Sequence, residues 1–203
     1  MGTPGPIRIF LASSNPGKLR EYRILAGDSP IEFATLQNFE RMPPFEETAP
    51  TFAENSAGKA LHFSNFSGGV VLADDSGLVV PALGGAPGVY SARYAGPGAS
   101  DADRVQKLLR EMKGLQGENR RASFVCVTSL AQGGRILAVL SDLAEGVITT
   151  EPRGSDGFGY DPVFFFERLG RTYAEITRDE KNQYSHRGKA FRKALAFMQG
   201  RLP

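Results

Sequence analysis

The apolar residues of this chain come in short runs, and helix-start signals stand between them. Residues 7–12 (Ile-Arg-Ile-Phe-Leu-Ala) are one such run, bounded by Gly and Pro before it and by Ser-Ser-Asn-Pro-Gly after it. That pattern predicts a buried first strand. Asn15 and Pro16 then supply an N-cap and a first-turn proline. They predict a helix to about Leu25, ended by Gly27. Residues 31–36 predict a second strand. Thr51-Phe52-Ala53-Glu54 reads as a capping box, and its helix runs to about Phe66 before Gly68-Gly69. Residues 70–73 and 78–80 predict two strand pieces flanking an acidic turn, Asp74-Asp75-Ser76-Gly77.

Residues 81–98 are rich in Gly, Pro and Ala and carry Tyr90, Arg93 and Tyr94, a loop too long to be an idle connector. Val105, Leu108, Leu109 and Met112 give residues 101–112 helical spacing. Residues 121–130 and 136–143 predict strands paired across Gly133-Gly134, with 147–149 and 163–166 adding strand. Ser185 caps a last helix with Ala190, Phe191, Ala194, Leu195 and Met198 on one face. The order of elements predicts a mixed α/β protein. No repeat or linker marks a second domain, so residues 1–203 are expected to form one domain, which two lobes about a cleft would not contradict.

Composition removes several function classes. The net charge of +2 gives no broad cationic field for tight nucleic-acid binding. The single cysteine, Cys126, excludes an intrachain disulfide and fits a reducing compartment. Its run, Phe124-Val125-Cys126-Val127, reads as buried strand. Nothing approaches the ~20 apolar residues that span a bilayer. The start lacks the basic and apolar regions of a signal peptide, so the cytoplasm is expected.

Five segments carry groups suited to chemistry, and each by itself also has an ordinary structural reading. Ser13-Ser14-Asn15-Pro16-Gly17-Lys18 places a strand-to-helix turn, a glycine and a lysine where a helix N-terminus can hold phosphate. It is not a Walker A loop, since Leu19 rather than Ser or Thr follows the lysine, and a merely capped helix fits equally well. Asp74-Asp75 can divide metal binding from proton transfer, because adjacent acids point to different sides. An Asx-type turn would use the same residues. Glu46-Glu47 and Lys59 flank the second helix's start and body, where solvated charges are common. Gly157-Phe158-Gly159-Tyr160-Asp161-Pro162 can form an aromatic wall for a flat base, with Asp161 at its edge, or a tight loop with core aromatics. Lys181 and Ser185-His186-Arg187-Gly188-Lys189 offer donors to an oxo group or a phosphate. With two histidines and no Cys/His spacing, a zinc site is not expected.

In this order, the segments resemble the inosine triphosphate pyrophosphatase family, its bacterial XTP/dITP diphosphatases in particular. The likeness runs from Ile9 to about Leu195. It also takes in Glu46-Glu47-Thr48, Phe52-Ala53-Glu54-Asn55, Ala73-Asp74-Asp75-Ser76-Gly77-Leu78 and residues 84–94 (Gly-Gly-Ala-Pro-Gly-Val-Tyr-Ser-Ala-Arg-Tyr). The resemblance implies an elongated mixed β-sheet flanked by helices, two lobes around a central active-site cleft, and a homodimer. It implies hydrolysis of ITP, dITP and XTP to monophosphate and pyrophosphate, with Mg²⁺ as cofactor, and no nucleic-acid or membrane partner. By position, Ser13, Ser14, Asn15, Pro16, Gly17 and Lys18 would cradle the triphosphate. Glu47 and Asp75 would hold the metal with support from Asp74, and Asp75 would also be the general base. Lys18 and Lys59 would assist at the phosphates, and Ser76 would contact substrate. Phe158, Gly159, Tyr160 and Asp161 would form the base pocket. Lys181, His186 and Arg187 would recognise the 6-oxo purine.

Two departures are visible. Residues 2–6 form a Gly/Pro-rich leader, expected to be disordered, and Ala49-Pro50 stands where the family has a glycine-containing pair. The physics suits the assignment, since hydrolysis at the α-phosphorus needs a placed water, neutralised phosphate charge and a pyrophosphate leaving group. Donors built for a 6-oxo group are left unpaired by the amino group of ATP, a mismatch worth factors of ~10⁴. The rival expectations are a Maf-like pyrophosphatase for pyrimidine or modified nucleotides and a non-catalytic nucleotide-binding protein. Charge disfavours an RNA-binding protein.

Overall fold

The computed structural model describes residues 7–13, 15–27, 31–36 and 39–200. The expected leader and Ser14 lie outside these. Five α-helices and seven strands are found among the described residues, and the strands form one mixed sheet ordered β2-β1-β3-β4-β5-β6-β7. The strands are β1 (Ile7–Leu11), β2 (Ile31–Thr35), β3 (Val70–Val79), β4 (Arg121–Gln132), β5 (Arg135–Ile148), β6 (Phe164–Phe166) and β7 (Arg171–Thr172). The helices are α1 (Pro16–Ala26), α2 (Phe52–Ser64), α3 (Asp101–Glu111), α4 (Arg178–Tyr184) and α5 (His186–Met198). β1 runs parallel to β2 and β3, with Ile9 opposite Phe33 and Leu11 opposite Leu72. β5–β6 and β6–β7 are antiparallel. None of the described helices is long and apolar enough to cross a membrane.

The chain divides into two compact units, residues 1–75, 127–141 and 190–203, and residues 76–126 and 142–189. In the first unit, β3 is buried on both faces from Val71 to Asp75. Ile9, Leu11 and Leu72 pack with Tyr22 of α1 and Phe191 and Ala194 of α5. Ala12, Val71 and Ala73 pack with Ala60 and Phe63 of α2. Strands covered by helices on both sides read as near-continuous apolar runs, which is how residues 70–73 of β3 are written.

The second unit has its own core. Val105, Leu108 and Met112 of α3 pack with Leu78, Val80, Phe124, Ile148, Phe164 and Tyr173. Arg120 is buried beside it and donates only to carbonyls: Ile148 and Thr149 at 2.6 Å each, Leu115 at 3.2 Å and Met112 at 3.3 Å. Its guanidinium thereby satisfies carbonyls at the end of α3 and the end of β5.

The expected N-cap residues are in place, but the box at Thr51 is half formed, since the Glu54 carboxylate accepts from the Thr51 hydroxyl at 2.7 Å. The Asn15 side chain accepts the Lys18 N–H and the Thr51 side chain accepts the Glu54 N–H. Three expectations need correction. The acidic turn at 74–77 is absent, because β3 continues unbroken from Val70 to Val79 through both aspartates. Strand pairing with β1 on one side and β4 on the other, plus buried partners for each carboxylate, outweighs the turn preference of Asp, Ser and Gly. α4 and β7 were not expected, and α4 is opened by a capping box between Thr177 and Glu180. β5 is longer than expected and absorbs the separate strand at 147–149 apart from Thr149.

Candidate functional site

Apart from residues 13–17, the expected residues fall into two clusters, one in each unit. In the first, β3 sends consecutive residues to opposite faces, so Asp74 and Asp75 meet different partners. Lys18, in the first turn of α1, reaches Asp74: Nζ lies 2.9 Å from Oδ2 and 3.4 Å from the main-chain oxygen. Asp74 is fully buried. Lys59, in the middle of α2, donates to the same main-chain oxygen at 2.7 Å and pairs with Glu47. Two lysines thus converge on one residue of β3.

Asp75 meets α2 on the other side, where Asn55 Nδ2 donates to its Oδ2 at 3.0 Å. Burial first, then the negative charge of Glu47, pushes the Asp75 carboxyl up to about 6. Lys18, the Asn55 amide and Lys59 pull the other way without winning. A carboxylate held in this range can accept a proton near neutral pH and release it again.

Among the described residues, no group of three or more His, Cys, Asp or Glu is arranged to hold a metal by itself. The donor set that is present, Glu47 with Asp75, is a pair of carboxylates whose mutual repulsion a cation would relieve. One or two carboxylates plus water and phosphate oxygens is the usual environment of Mg²⁺, so these residues fit that ion.

Of the residues expected to cradle phosphate, Ser13, Asn15 and Lys18 form the local cap at the start of α1. Ser13 Oγ accepts the Asn15 N–H at 3.2 Å, and Asn15 Oδ1 accepts that of Lys18 at 3.1 Å. Gly17 is buried, while Asn15 and Pro16 are exposed and only Lys18 joins the acidic cluster.

The second cluster surrounds Phe158. Asp161 Oδ2 accepts the Phe158 N–H at 2.9 Å and pairs with Lys181 Nζ at 2.5 Å. Its carboxylate thus braces the loop and balances a buried lysine. Gly157 has φ +79°, and a Cβ there would lie 2.1 Å from Asp161 Oδ2, so only glycine admits this turn. Lys181 sits 4.6 Å from the Phe158 ring centroid and Arg187 Cζ 5.8 Å. His186 stacks on Phe124 with centroids 4.7 Å apart and planes at 10°. Arg187 donates to Ser76 Oγ at 2.8 Å. Lys181, His186 and Arg187 are all buried, and they come from the end-to-end helices α4 and α5. A Cβ on Gly188 would lie 1.9 Å from the Asn182 carbonyl oxygen, so glycine permits that junction.

Three supporting residues had no role in the sequence reading. Asn55 lies in the quoted Phe-Ala-Glu-Asn motif, and its signal was a polar side chain on the helix face turned to a strand. Ser91 accepts the Leu78 N–H at 2.9 Å through its hydroxyl, and its carbonyl accepts the Tyr160 hydroxyl at 2.9 Å. Asp101 accepts the Gly159 N–H at 2.7 Å. Nothing local in sequence announces the last two. An open cavity of about 610 Å³, lined by residues including Arg8, Arg23, Glu32 and Phe66, contains none of the expected residues.

The model of the Ham1 family matches residues 9–197. The chain is 48% identical over 185 residues to a dITP/XTP pyrophosphatase of Geobacillus kaustophilus, covering 91% of each chain. It is 42% identical over 190 residues to one of Bacillus licheniformis, covering 94% of this chain and 97% of that one. A solved HAM1 protein from Coxiella burnetii superposes with a TM-score of 0.86 at 43% identity, over 96% of this chain and 99% of that one. A nucleoside-triphosphatase / dITP/XTP pyrophosphatase from Mycobacterium abscessus gives 0.71 at 38% identity, over 95% and 100%.

Proposed function

The chain belongs to the Ham1 family, and on that premise we propose how its two clusters perform a pyrophosphatase reaction. It is a hydrolase with dITP/XTP pyrophosphatase activity on non-canonical purine nucleotides. In the proposed mechanism, water attacks the α-phosphorus, the bond to the α–β bridging oxygen breaks, and pyrophosphate leaves with the monophosphate remaining. Asp75 takes the proton of the attacking water. The observation that carries this is its buried carboxyl, fixed at 3.0 Å by the Asn55 amide, which also holds the segment that carries Glu47.

Lys18 and Lys59 already point at one residue of β3 and would turn their ammonium groups to phosphate oxygens as substrate enters. The residues 13–18, Ser14 included, would line the phosphate cradle at the start of α1. Glu47 and Asp75, with Asp74 behind them, would hold Mg²⁺. The ion would neutralise phosphate charge and polarise the phosphoryl group. Phe158 would stack on the base, with Gly159, Tyr160 and Asp161 shaping the loop. Lys181, His186 and Arg187 would supply the donors for a 6-oxo group, and Ser76, whose hydroxyl accepts from Arg187, would contact the substrate. ITP joins dITP and XTP as an expected substrate because it carries the same 6-oxo group.

Further parts of the reading concern the whole protein: one domain over residues 1–203, a homodimer and a cytoplasmic location. β3, β4 and β5 each contribute residues to both units, which supports a single domain. Exposed Leu137, Val139 and Leu143 at alternate positions of β5 support self-association. The buried side chain of Cys126, the one cysteine of the sequence, suits a reducing compartment.

The deciding experiment measures pyrophosphate, and separately phosphate, released with Mg²⁺ from ITP, XTP, ATP, GTP, CTP and UTP. Fast pyrophosphate release from ITP and XTP alone is the expected result. Release from a pyrimidine nucleotide would indicate the Maf-like reaction, phosphate alone another phosphohydrolase, and no turnover a binding protein.

A further inference from the structure

We propose that Asp101 is a positioning residue for base recognition, acting on the Phe158 loop through the N–H of Gly159. This rests on the reading above in which that loop holds the purine. Asp101 is the first residue of α3, and its Oδ2 accepts the Gly159 N–H at 2.7 Å across 58 residues of chain. Its other carboxylate oxygen pairs with Arg104, one turn on. Arg104 in turn donates to the carbonyls of Ala92, at 3.0 Å, and Ala99, at 2.6 Å. The carboxylate is therefore fixed before it meets the loop, and its bond to Gly159 is charge-assisted.

The same segment grips the next residue. The Tyr160 hydroxyl donates to the Ser91 carbonyl at 2.9 Å, and the Ser91 hydroxyl holds both Leu78 N–H and the Gly88 carbonyl. Gly159 and Tyr160 are thus held by residues 88–104, while Phe158 and Asp161 are held to each other and to Lys181. Gly159 has φ +63° and no side chain, so no side-chain packing of its own sets where its peptide lies. Asp101 supplies that missing constraint, and through it the placement of the Phe158 ring against Lys181 and Arg187. Asp103, two residues along, has a different duty: its carboxylate is committed to the Ser100 cap of the same helix.

The test compares Asp101→Ala, Asp101→Asn and Asp103→Ala with wild type, measuring kcat and KM for ITP and for ATP. Asp101→Ala is expected to raise KM for ITP about tenfold, the equivalent of one hydrogen bond, and to lower the ITP-to-ATP ratio of kcat/KM, with kcat for ITP nearly unchanged. Asp101→Asn keeps an acceptor oxygen and should recover much of the loss. Asp103→Ala weakens the same helix start and should move neither KM nor the ratio, since a folding defect lowers the active fraction for both nucleotides alike. The proposal is overturned if Asp101→Ala keeps wild-type KM and selectivity, or if Asp103→Ala reproduces its effect. A wild-type protein without selective ITP turnover would overturn the base-pocket reading itself, and this inference with it.

Discussion

Asn55 donates one N–H of its side-chain amide to Asp75 Oδ2 at 3.0 Å and the other to the Ala49 carbonyl at 3.2 Å, while its Oδ1 accepts the Ala49 N–H at 2.9 Å. Both donors and the oxygen of a fully buried amide are used, and together they tie Asp75 to the segment that carries Glu47. Truncation leaves buried polar groups unmade. Asn55→Ala should lose about 2–4 kcal/mol of stability, read by thermal or urea unfolding. It should also raise the Mg²⁺ concentration needed for half-maximal turnover, because the two carboxylates lose their common support. An Asn55→Ala protein with the wild-type Mg²⁺ requirement would mean that the clamp serves folding alone.

Asp75 makes a pH-dependent prediction. Burial pushes its folded carboxyl up to about 6 from the 3.8 of a solvated aspartate, so folding favours the protonated acid. The stability that this preference contributes is whole below about pH 4 and is lost as pH rises through 6, up to roughly 3 kcal/mol. Asp75→Asn should therefore be more stable than wild type at pH 7–8, and the difference should shrink toward pH 4 in melting experiments. The same substitution should cut pyrophosphate release by a factor of ~10² or more if Asp75 is the base. Mg²⁺ without nucleotide should raise the melting temperature of wild type at pH 8 and leave that of Asp75→Asn nearly unmoved. Equal responses would remove Asp75 from the metal site.

The Asp161–Lys181 pair is buried at both ends, at 5% exposure or less. Removing one partner strands the other charge, so Lys181→Met and Asp161→Asn should each destabilise by about 3–5 kcal/mol. The double variant should recover part of that loss. Its turnover should favour ITP over ATP much less than wild type does, since the lysine donor is gone. Additive single losses in a double-mutant cycle would show that the two side chains are not coupled.

Gly188→Ala presses a methyl group into the Asn182 carbonyl, at the junction of α4 and α5. The two helices must part, carrying Lys181 on one side and His186 and Arg187 on the other. The expected result is a loss of kcat/KM for ITP of about tenfold or more. Gly84→Ala, where a Cβ would meet nothing within 4 Å though φ is +64°, is the control for generic glycine strain and should cost only stability.

How much of this was legible in sequence depended on how local the cause is. The α1 and α2 starts were readable because a cap is a matter of three or four neighbouring residues, Asn15 to Lys18 and Thr51 to Glu54. Thr177 and Glu180 carry the same signal for α4, but the flanking residues have no long apolar periodicity to extend it. β3 was misread at Asp74-Asp75 because turn preference is local, whereas what holds the strand straight is pairing with β1 and β4 and the approach of Lys18 and Asn55. The grouping of Lys18, Glu47, Lys59 and Asp75 followed from resemblance, since no spacing shows that residues 18 and 75 will meet. Ser91 and Asp101 contribute through a carbonyl and a main-chain N–H partner, and contacts of that kind leave little trace in residue type.

The alternation along β3 restricts how this gene product can vary in length. Lys18 meets Asp74 and Asn55 meets Asp75 only because the two acids occupy odd and even places in a strand of period two. Deleting or inserting a single residue between Val70 and Ala73 would shift the frame of everything downstream and exchange the partners of the two carboxylates. It would also turn Val71 and Leu72 each toward the core that the other fills. Substitutions in this stretch can be absorbed one side chain at a time. A change of one in its residue count cannot, so homologues that stay active should differ there in identity and never in length.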